Sequence, residues 1–250
     1  MHKFFVPAEN FGSGEAVITG DDVKHIYKVL RLSKSDKVSI NNLDGKEFIG
    51  EITDITKEKV TLKILEQCAS ICESNINIHL YQGMPKGSKM DTIVQKGTEL
   101  GLNKIIPLWT KRVIIRRDEA SLSKVDRWKR IAIEACKQCK RSAVPVIEQG
   151  IDMEELYLRL QGYDLIIVPY ENSENYGLKA VREKLNKKEI KNIAIVIGPE
   201  GGFEAEEIEN LKTLKGEIIT LGRRILRTET AGVITSAIIQ YEFGDLGGET

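Results

Sequence analysis

Long apolar runs are missing from this 250-residue chain; Ile193–Ile197, at five residues, is among the longest. A membrane-spanning helix needs about 20 such residues, so no membrane association is expected. The opening Met1-His2-Lys3-Phe4-Phe5-Val6-Pro7 lacks the apolar core of a secretory signal, about 7–15 residues long, and a cytoplasmic location follows as the expectation. Net charge is also missing: 37 Lys and Arg stand against 37 Asp and Glu, so no overall field draws the protein to nucleic acid. Histidine is scarce, and His2, His25 and His79 show no ligand spacing, so no metal is expected. There is no internal repeat and no low-complexity segment. With 41% hydrophobic and 30% charged residues the composition excludes disorder and collagen-like structure. The length suits one large domain or two modest ones.

Cysteine is too rare for a disulfide scaffold, at four residues. Cys68 and Cys72 are four apart, and Cys136 and Cys139 form a CxxC, which raises zinc binding and redox chemistry as options. The second pair, however, lies where Val125, Trp128, Ala132, Ala135 and Cys139 recur at helical spacing, the mark of a buried stripe. The first pair sits in a polar stretch with no histidine nearby. Ordinary reduced core or linker cysteines are the expectation.

What is present divides into two rhythms. Residues 1–72 read as mostly β: Val38–Ile40, Phe48–Ile55 and Val60–Ile64 alternate apolar with polar, and Asp44-Gly45 marks a hairpin turn. One helix interrupts, capped by Gly20-Asp21-Asp22 and burying Val23, Ile26, Tyr27 and Leu30. A small antiparallel barrel with one helix fits, and the polar stretch Ser70–Asn75 reads as a linker. From Ile76 onward strands (Ile76–Tyr81, Ile105–Trp109, Leu165–Val168, Ile193–Ile197, Ile218–Leu221) alternate with helices (Met90–Leu100, Val125–Arg141, Leu178–Leu185, Ala205–Leu214, Thr228–Phe243). Near-continuous apolar strands between helices predict an α/β domain over residues 73–250, its parallel sheet covered on both faces. Such sheets bind ligands in loops beyond the carboxyl ends of their strands.

Two of those loops are unusual. Gly198-Pro199-Glu200-Gly201-Gly202-Phe203 is rich enough in glycine for close backbone approach to a ligand. It lacks the Walker ending and the GxGxxG spacing. The helix that follows opens with Glu204, Glu206 and Glu207, which suit the helix dipole but repel phosphate, so a neutral or partly cationic ligand is the better electrical match. A tight turn before a well-capped helix is the bland alternative. The other loop, Gly222-Arg223-Arg224-Ile225-Leu226-Arg227, places three arginines at the end of a buried strand, which packing alone does not explain.

GPEGGF followed about twenty residues later by LGRRILRTETA resembles the SPOUT class of S-adenosylmethionine-dependent RNA methyltransferases, and within it the RsmE family. His25–Arg31 (HIYKVLR), Gln95–Gly101 (QKGTELG) and the block from Glu134-Ala135 through Gln138 and Arg141 extend the likeness along nearly the whole chain. The resemblance implies a SPOUT-type parallel sheet with a C-terminal trefoil knot, an exception to the unknotted-chain rule. It also implies a PUA-like RNA-binding barrel at the N-terminus, a homodimer with the site completed across subunits, and methylation of N3 of a uridine in 16S ribosomal RNA or the small ribosomal subunit. The methyl donor, S-adenosylmethionine, is implied in the loops after Val168, Ile197 and Leu221. Its candidate contacts are Pro169, Ile197, Gly198, Glu200, Gly201 and Gly202, then Leu221, Gly222, Ile225, Leu226, Thr230 and Ala231. A non-catalytic RNA-binding protein, or a related methyltransferase acting on a different RNA site, are the competing readings.

Uracil N3 carries a proton that must leave, at a cost of about 3 kcal/mol if its pKa lies about two units above neutrality. Arg227, donating to a flanking carbonyl, is the candidate for charge stabilisation and Glu229 for the base, with Glu200 its rival. Phosphate contacts are expected in Lys111–Arg141, where eleven basic residues face four acidic ones. Arg112, Arg116, Arg127 and Arg141 are the candidates there, joined by Lys86 and Lys89 in the Pro85–Lys89 turn. Arg31 is implied by the resemblance.

Overall fold

The computed structural model describes residues 1–43, 45–68, 72–114, 122–186 and 189–248. Asp44 of the expected hairpin and Ser70 of the expected linker therefore lie outside the described residues. The chain divides into two compact units: Met1–Glu73 with Cys136–Val144, and Ser74–Ala135 with Pro145–Thr250.

The first unit is a curled six-stranded sheet. Its strands are β1 (Lys3–Phe5), β2 (Phe11–Gly12), β3 (Glu15–Thr19), β4 (Lys37–Asn41), β5 (Glu47–Ile55) and β6 (Lys59–Cys68), in the order β1-β4-β5-β6-β3-β2. Every pair is antiparallel except β1 with β4, which run parallel. Alternation turns Ile18, Val38, Ile40, Val60 and Leu62 onto one core, and register shifts in the β5–β6 ladder at Ile49/Gly50 and Ile52/Asp54 bend the sheet around it.

The helix in this unit departs from the expected winding. It begins as α1 (Asp21–Lys24) after Gly20, with no side-chain cap, and continues as a π-helical turn, His25–Leu30. Val23 and Ile26 are buried and Leu30 packs on the same core, but Tyr27 is 62% exposed. The turn ends on Arg31, held in the left-handed region at φ 52°.

Where the first unit's two chain segments meet, Glu73 gathers a cluster. It accepts from Arg141 Nε and Nη2 (3.1 and 2.8 Å), from the Ser142 and Ala143 amides (2.8 and 2.9 Å) and from Ser142 Oγ (3.3 Å). Burial pushes the Glu73 carboxyl up, but the hydrogen bonds and charge of Arg141 and the two amides outweigh it and hold it below the usual carboxylate range. Arg141 is 3% exposed, so removing the Glu73 charge takes away a counter-charge that a buried guanidinium faces directly. Glu73→Gln is expected to cost about 3 kcal/mol in urea unfolding at neutral pH. A depressed folded pKa stabilises above the unfolded value and is lost as pH falls through the folded one. The gap between wild type and variant should therefore close as pH falls through the lowered pKa of Glu73.

The second unit holds β7 (Asn77–Gly83), β8 (Lys104–Trp109), β9 (Val146–Ile147), β10 (Ile151–Asp152), β11 (Leu165–Pro169), β12 (Asn192–Ile197) and β13 (Glu217–Ile219). Their order is β10-β8-β7-β12-β11-β13, with β9 also on β8, and every pairing is parallel. Between them run α2 (Lys89–Glu99), α3 (Leu122–Cys139), α4 (Met153–Arg159), α5 (Leu178–Leu185), α6 (Ala205–Thr213) and α7 (Thr228–Phe243). Ile193–Ile197 is buried throughout, as a sheet covered on both faces requires. The last strand is shorter than the expected Ile218–Leu221, because Thr220 N–H leaves the ladder for Tyr176 O at 2.8 Å. In α3 the buried stripe runs through Val125, Trp128, Ala132, Ala135 and Cys136, and Cys139 lies only half-buried beside it. All four cysteines are free. No described helix is long and apolar enough to cross a membrane.

On β7, His79 Nδ1 lies 2.5 Å from Tyr163 Oη, which in turn lies 2.8 Å from Tyr81 Oη. Burial, then the charge of Lys104, lowers the His79 pKa to about 4, so this imidazole is neutral at physiological pH.

Candidate active site

Parallel pairing puts the carboxyl ends of β11, β12 and β13 on one side of the sheet, and the loops leaving them enclose a cavity of about 530 Å³. That volume falls within the range of small-molecule and cofactor sites, about 300–1,000 Å³. Three segments form its walls: Pro169–Glu171, Ile197–Phe203 and Thr220–Thr228, with Ala231 and Lys89 completing them.

Local sequence explains each wall. The chain turns after β12 through Gly202, whose φ of +69° a side chain would strain. The Gly202 amide closes the turn onto Pro199 O at 2.9 Å, and Phe203 drops into the core at 2% exposure. Behind the turn stands Gly83, the last residue of β7. A Cβ there would lie 2.6 Å from the Gly198 carbonyl carbon and closer still to Pro199 N, so the strand end and the loop touch backbone to backbone.

Gln82 and Thr228 fasten α7 to the same turn. Gln82 Nε2 donates to Thr228 Oγ1 at 2.7 Å, and Thr228 Oγ1 donates to Gly198 O at 2.6 Å. Sequence reasoning missed Gly83 and Gln82. The available signal was a glycine at the end of a buried parallel strand, where close approach is the usual reason for one.

The three carboxylates that open α6 do not face the cavity, which corrects the expectation that they set its charge. Glu204 pairs with Arg112 (Nε 2.8 Å, Nη2 3.1 Å), Glu206 with Lys111 Nζ (2.5 Å), and Glu207 accepts the Lys111 amide (2.9 Å) and the Glu204 amide (2.8 Å). Arg112 Nη1 also donates to Gly201 O at 3.2 Å, so it braces the glycine turn.

Of the twelve residues expected to hold the methyl donor, Pro169, Ile197, Gly198, Glu200, Gly201, Gly202, Leu221, Gly222, Ile225, Leu226 and Ala231 line this cavity. Thr230, exposed on the first turn of α7, does not. Tyr170, Glu171, Phe203, Thr220 and Thr228 line it without having been anticipated.

Arg227 precedes α7 as its N-cap, lines the cavity, and forms no ion pair with any described residue. Glu229 stands just outside the lining, its side chain 19% exposed. Its Oε2 is buried, accepts no hydrogen bond from a described residue, and lies 3.5 Å from Lys89 Nζ. Glu200 accepts from Lys89 Nζ at 2.8 Å and from the Lys86 amide at 3.1 Å. Burial pushes the Glu200 carboxyl up, yet Lys89 and that amide hold it below its ordinary range.

The expected RNA contacts fare unevenly. Arg31 and Lys86 are exposed and in no ion pair with described residues. Arg127 is exposed but paired with Asp91 at 2.5 Å, and Arg112 is committed to Glu204. Arg141 is withdrawn altogether: buried, with its guanidinium on Glu73, it has no face to offer a phosphate. Arg116 lies outside the described residues. Among the described residues no group of three or more His, Cys, Asp or Glu is placed to hold a metal ion.

The chain resembles known proteins along its whole length. The RNA methyltransferase domain family matches residues 72–240, and the RNA methyltransferase PUA domain family matches residues 18–65. Ribosomal RNA small subunit methyltransferase E of Bacillus subtilis is 35% identical over 257 aligned positions, covering 100% of both chains. The protein of the same name from Aquifex aeolicus is 30% identical, covering 96% of this chain and 99% of its own. The crystal structure of that enzyme from Neisseria gonorrhoeae, bound to S-adenosyl methionine, superposes with a TM-score of 0.80 at 30% identity, covering 98% of this chain and 99% of its own. A Legionella pneumophila protein solved with bound cofactor SAM gives 0.81 at 29%, covering 98% of each chain. The chain belongs to the ribosomal RNA small subunit methyltransferase E family.

Proposed function

We propose that this S-adenosylmethionine-dependent RNA methyltransferase modifies N3 of a uridine in 16S ribosomal RNA, presented by the small ribosomal subunit in the cytoplasm. The observation that carries the reading is the cavity at the ends of β11, β12 and β13, with an arginine in its wall that no described residue ion-pairs and a carboxylate beside it.

The cavity suits the donor. Ile197, Phe203, Leu226 and Ala231 give an apolar wall for a nucleoside. Over Leu221–Arg227 the only main-chain donor spent within the described protein is Gly222 N–H, on Thr220 Oγ1 at 3.1 Å, so the other amides of this loop are free for a ligand. Bound there, S-adenosylmethionine supplies an electrophilic methyl group on a sulfonium sulfur. The protein's part is to hold the acceptor in line, which is worth more than any single acid or base. Since N3 lies on the Watson–Crick edge, the uridine must be unpaired or extruded. Arg227 donates to a carbonyl oxygen flanking N3 as negative charge develops, and Glu229 takes the N3 proton while the N–CH3 bond forms and the S–CH3 bond breaks.

The same reading assigns residues 1–72 to RNA binding and 73–250 to catalysis, with exposed Arg31 and Lys86 as phosphate contacts. A C-terminal trefoil knot is supported by the route of the chain after β13, the outermost strand, back to β7 and β12, where α7 packs. A homodimer is supported by Ile234 and Tyr241 of α7, 40% and 66% exposed.

Incubating the protein with small ribosomal subunits and methyl-labelled donor, then digesting the RNA for mass spectrometry, tests the proposal. A single N3-methyluridine is expected. Label on a ribose, on another base atom or in transfer RNA would overturn it, and so would a protein that binds RNA without transferring label.

A further inference from the structure

Lys89, at the first residue of α2, was expected to touch RNA, but its surroundings give it a different task. Its Nζ is 2.8 Å from Glu200 Oε1 and 3.5 Å from Glu229 Oε2. These carboxylates belong to the glycine turn after β12 and to the first turn of α7. One ammonium therefore joins three segments at the cavity's edge: the start of α2, the donor loop and the helix that begins beside Arg227. Side-chain exposures of 31%, 29% and 19% for Lys89, Glu200 and Glu229 keep the cluster partly shielded from water. The neighbouring Lys86 contributes only its amide to Glu200 and leaves its own ammonium free, as an RNA contact would be.

Two carboxylates share a single cation here. Glu200 is well satisfied, with two donors, whereas the buried Oε2 of Glu229 faces Lys89 and has no hydrogen bond from any described residue. Without Lys89, two carboxylates that lie 2.8 and 3.5 Å from one ammonium would lose their shared counter-charge, and their mutual repulsion would no longer be offset. The first turn of α7 would move with Glu229, and Arg227 would move with that turn.

We propose that Lys89 is a positioning residue for methyl transfer: by bridging Glu200 and Glu229 it fixes the start of α7, and with it Arg227, over the mouth of the donor cavity. The proposal rests on the methyltransferase reading and adds to it a residue at the cavity's edge that acts through others, its ammonium being engaged by Glu200 and Glu229.

The test compares Lys89→Met, Lys89→Arg and wild type on small ribosomal subunits, with donor affinity measured by calorimetry. A displacement of about 1 Å at the reacting groups costs about 100-fold, so Lys89→Met should lose kcat on that scale. KM for the RNA and Kd for the donor should stay within about threefold, and Lys89→Arg should recover most of the loss. A rise in KM at unchanged kcat would make Lys89 a phosphate contact and overturn the proposal. So would a loss of donor affinity alone, an arginine variant as impaired as the methionine one, or no effect at all.

Amide hydrogen exchange provides a readout that needs no turnover. In Lys89→Met the amides of the first turns of α7 should exchange faster, while those of α5 stay unchanged. Wild type that transfers no methyl group would defeat the methyltransferase reading. Unchanged exchange in α7 would defeat the role of Lys89 whatever the wild type does.

Discussion

Gly83→Ala is expected to lower donor affinity by about two orders of magnitude and to cost about 3 kcal/mol in unfolding free energy. The added methyl group meets main chain and not a flexible side chain: the Gly198 carbonyl carbon lies 2.6 Å from its position, and Pro199 N is nearer still. Neither side has freedom to yield. β7 and β12 are hydrogen-bonded neighbours in register from Asn192↔Asn77 to Ile197↔Gln82, so parting their ends breaks the ladder just beneath the site. On the far side of the turn, Thr228 and Gln82 hold Gly198 O in a chain of hydrogen bonds. The least costly escape is to push the glycine turn into the cavity, which is the space the donor needs. Calorimetric titration with S-adenosylmethionine and a urea curve on the same preparation separate the two losses. A variant that binds the donor as wild type does would show that the turn has room to retreat. It would also remove backbone contact between β7 and the loop from the account of the pocket.

The parallel sheet was legible because burial on both faces leaves a strong signal in each strand. Apolar runs such as Ile193–Ile197 have only one environment open to them, and the structure places that run within β12. Helices α5 and α7 occupy the expected Leu178–Leu185 and Thr228–Phe243. The two-residue strands β9 and β10 show no period, and the seven-residue α4 went unseen although Asp152 caps it by accepting the Glu155 amide at 3.0 Å. Tyr27 was assigned to the core by 3.6-residue spacing, but it lies on the exposed side of the π-helical turn His25–Leu30.

At the site, GPEGGF and LGRRILR announced a ligand by composition alone, since close packing gives no reason for three arginines at the end of a buried strand. Their partners were silent. Gly83 and Gly198 are far apart in sequence, and periodicity carries no information about which loop a strand end will touch. Charge was misread for the same reason. Glu204, Glu206 and Glu207 look uncompensated in sequence, yet Arg112 and Lys111, more than ninety residues earlier, pair with Glu204 and Glu206, and two backbone amides satisfy Glu207. Lys89 and Arg141 were counted as free cations for RNA because nothing local reveals Glu200, Glu229 or Glu73 as their partners.

Arg227→Ala should lower kcat for methyl transfer by 10²–10³-fold, the usual scale for removing one preorganised donor to developing charge. The structure supplies three reasons to expect the loss in kcat. Arg227 lines the donor cavity, is exposed to an incoming base, and has no described carboxylate to hold its guanidinium elsewhere. Its place as N-cap of α7 uses its backbone, whose carbonyl accepts the Ala231 amide at 2.8 Å, and alanine preserves that bond. The helix should therefore survive the substitution, and Kd for S-adenosylmethionine should change by less than about threefold. Arg227→Lys should recover only part of the rate, because an ammonium is a point donor without the planar fork that reaches a carbonyl in fixed geometry. Single-turnover rates with donor and subunit both saturating, set beside calorimetric Kd values, give the comparison. Equal losses in rate and donor affinity would reassign Arg227 to the cofactor pocket. A raised KM for the subunit at normal rate would reassign it to RNA docking, and Arg223 or Arg224, exposed on the same loop, would then be next to test for the charge-stabilising role.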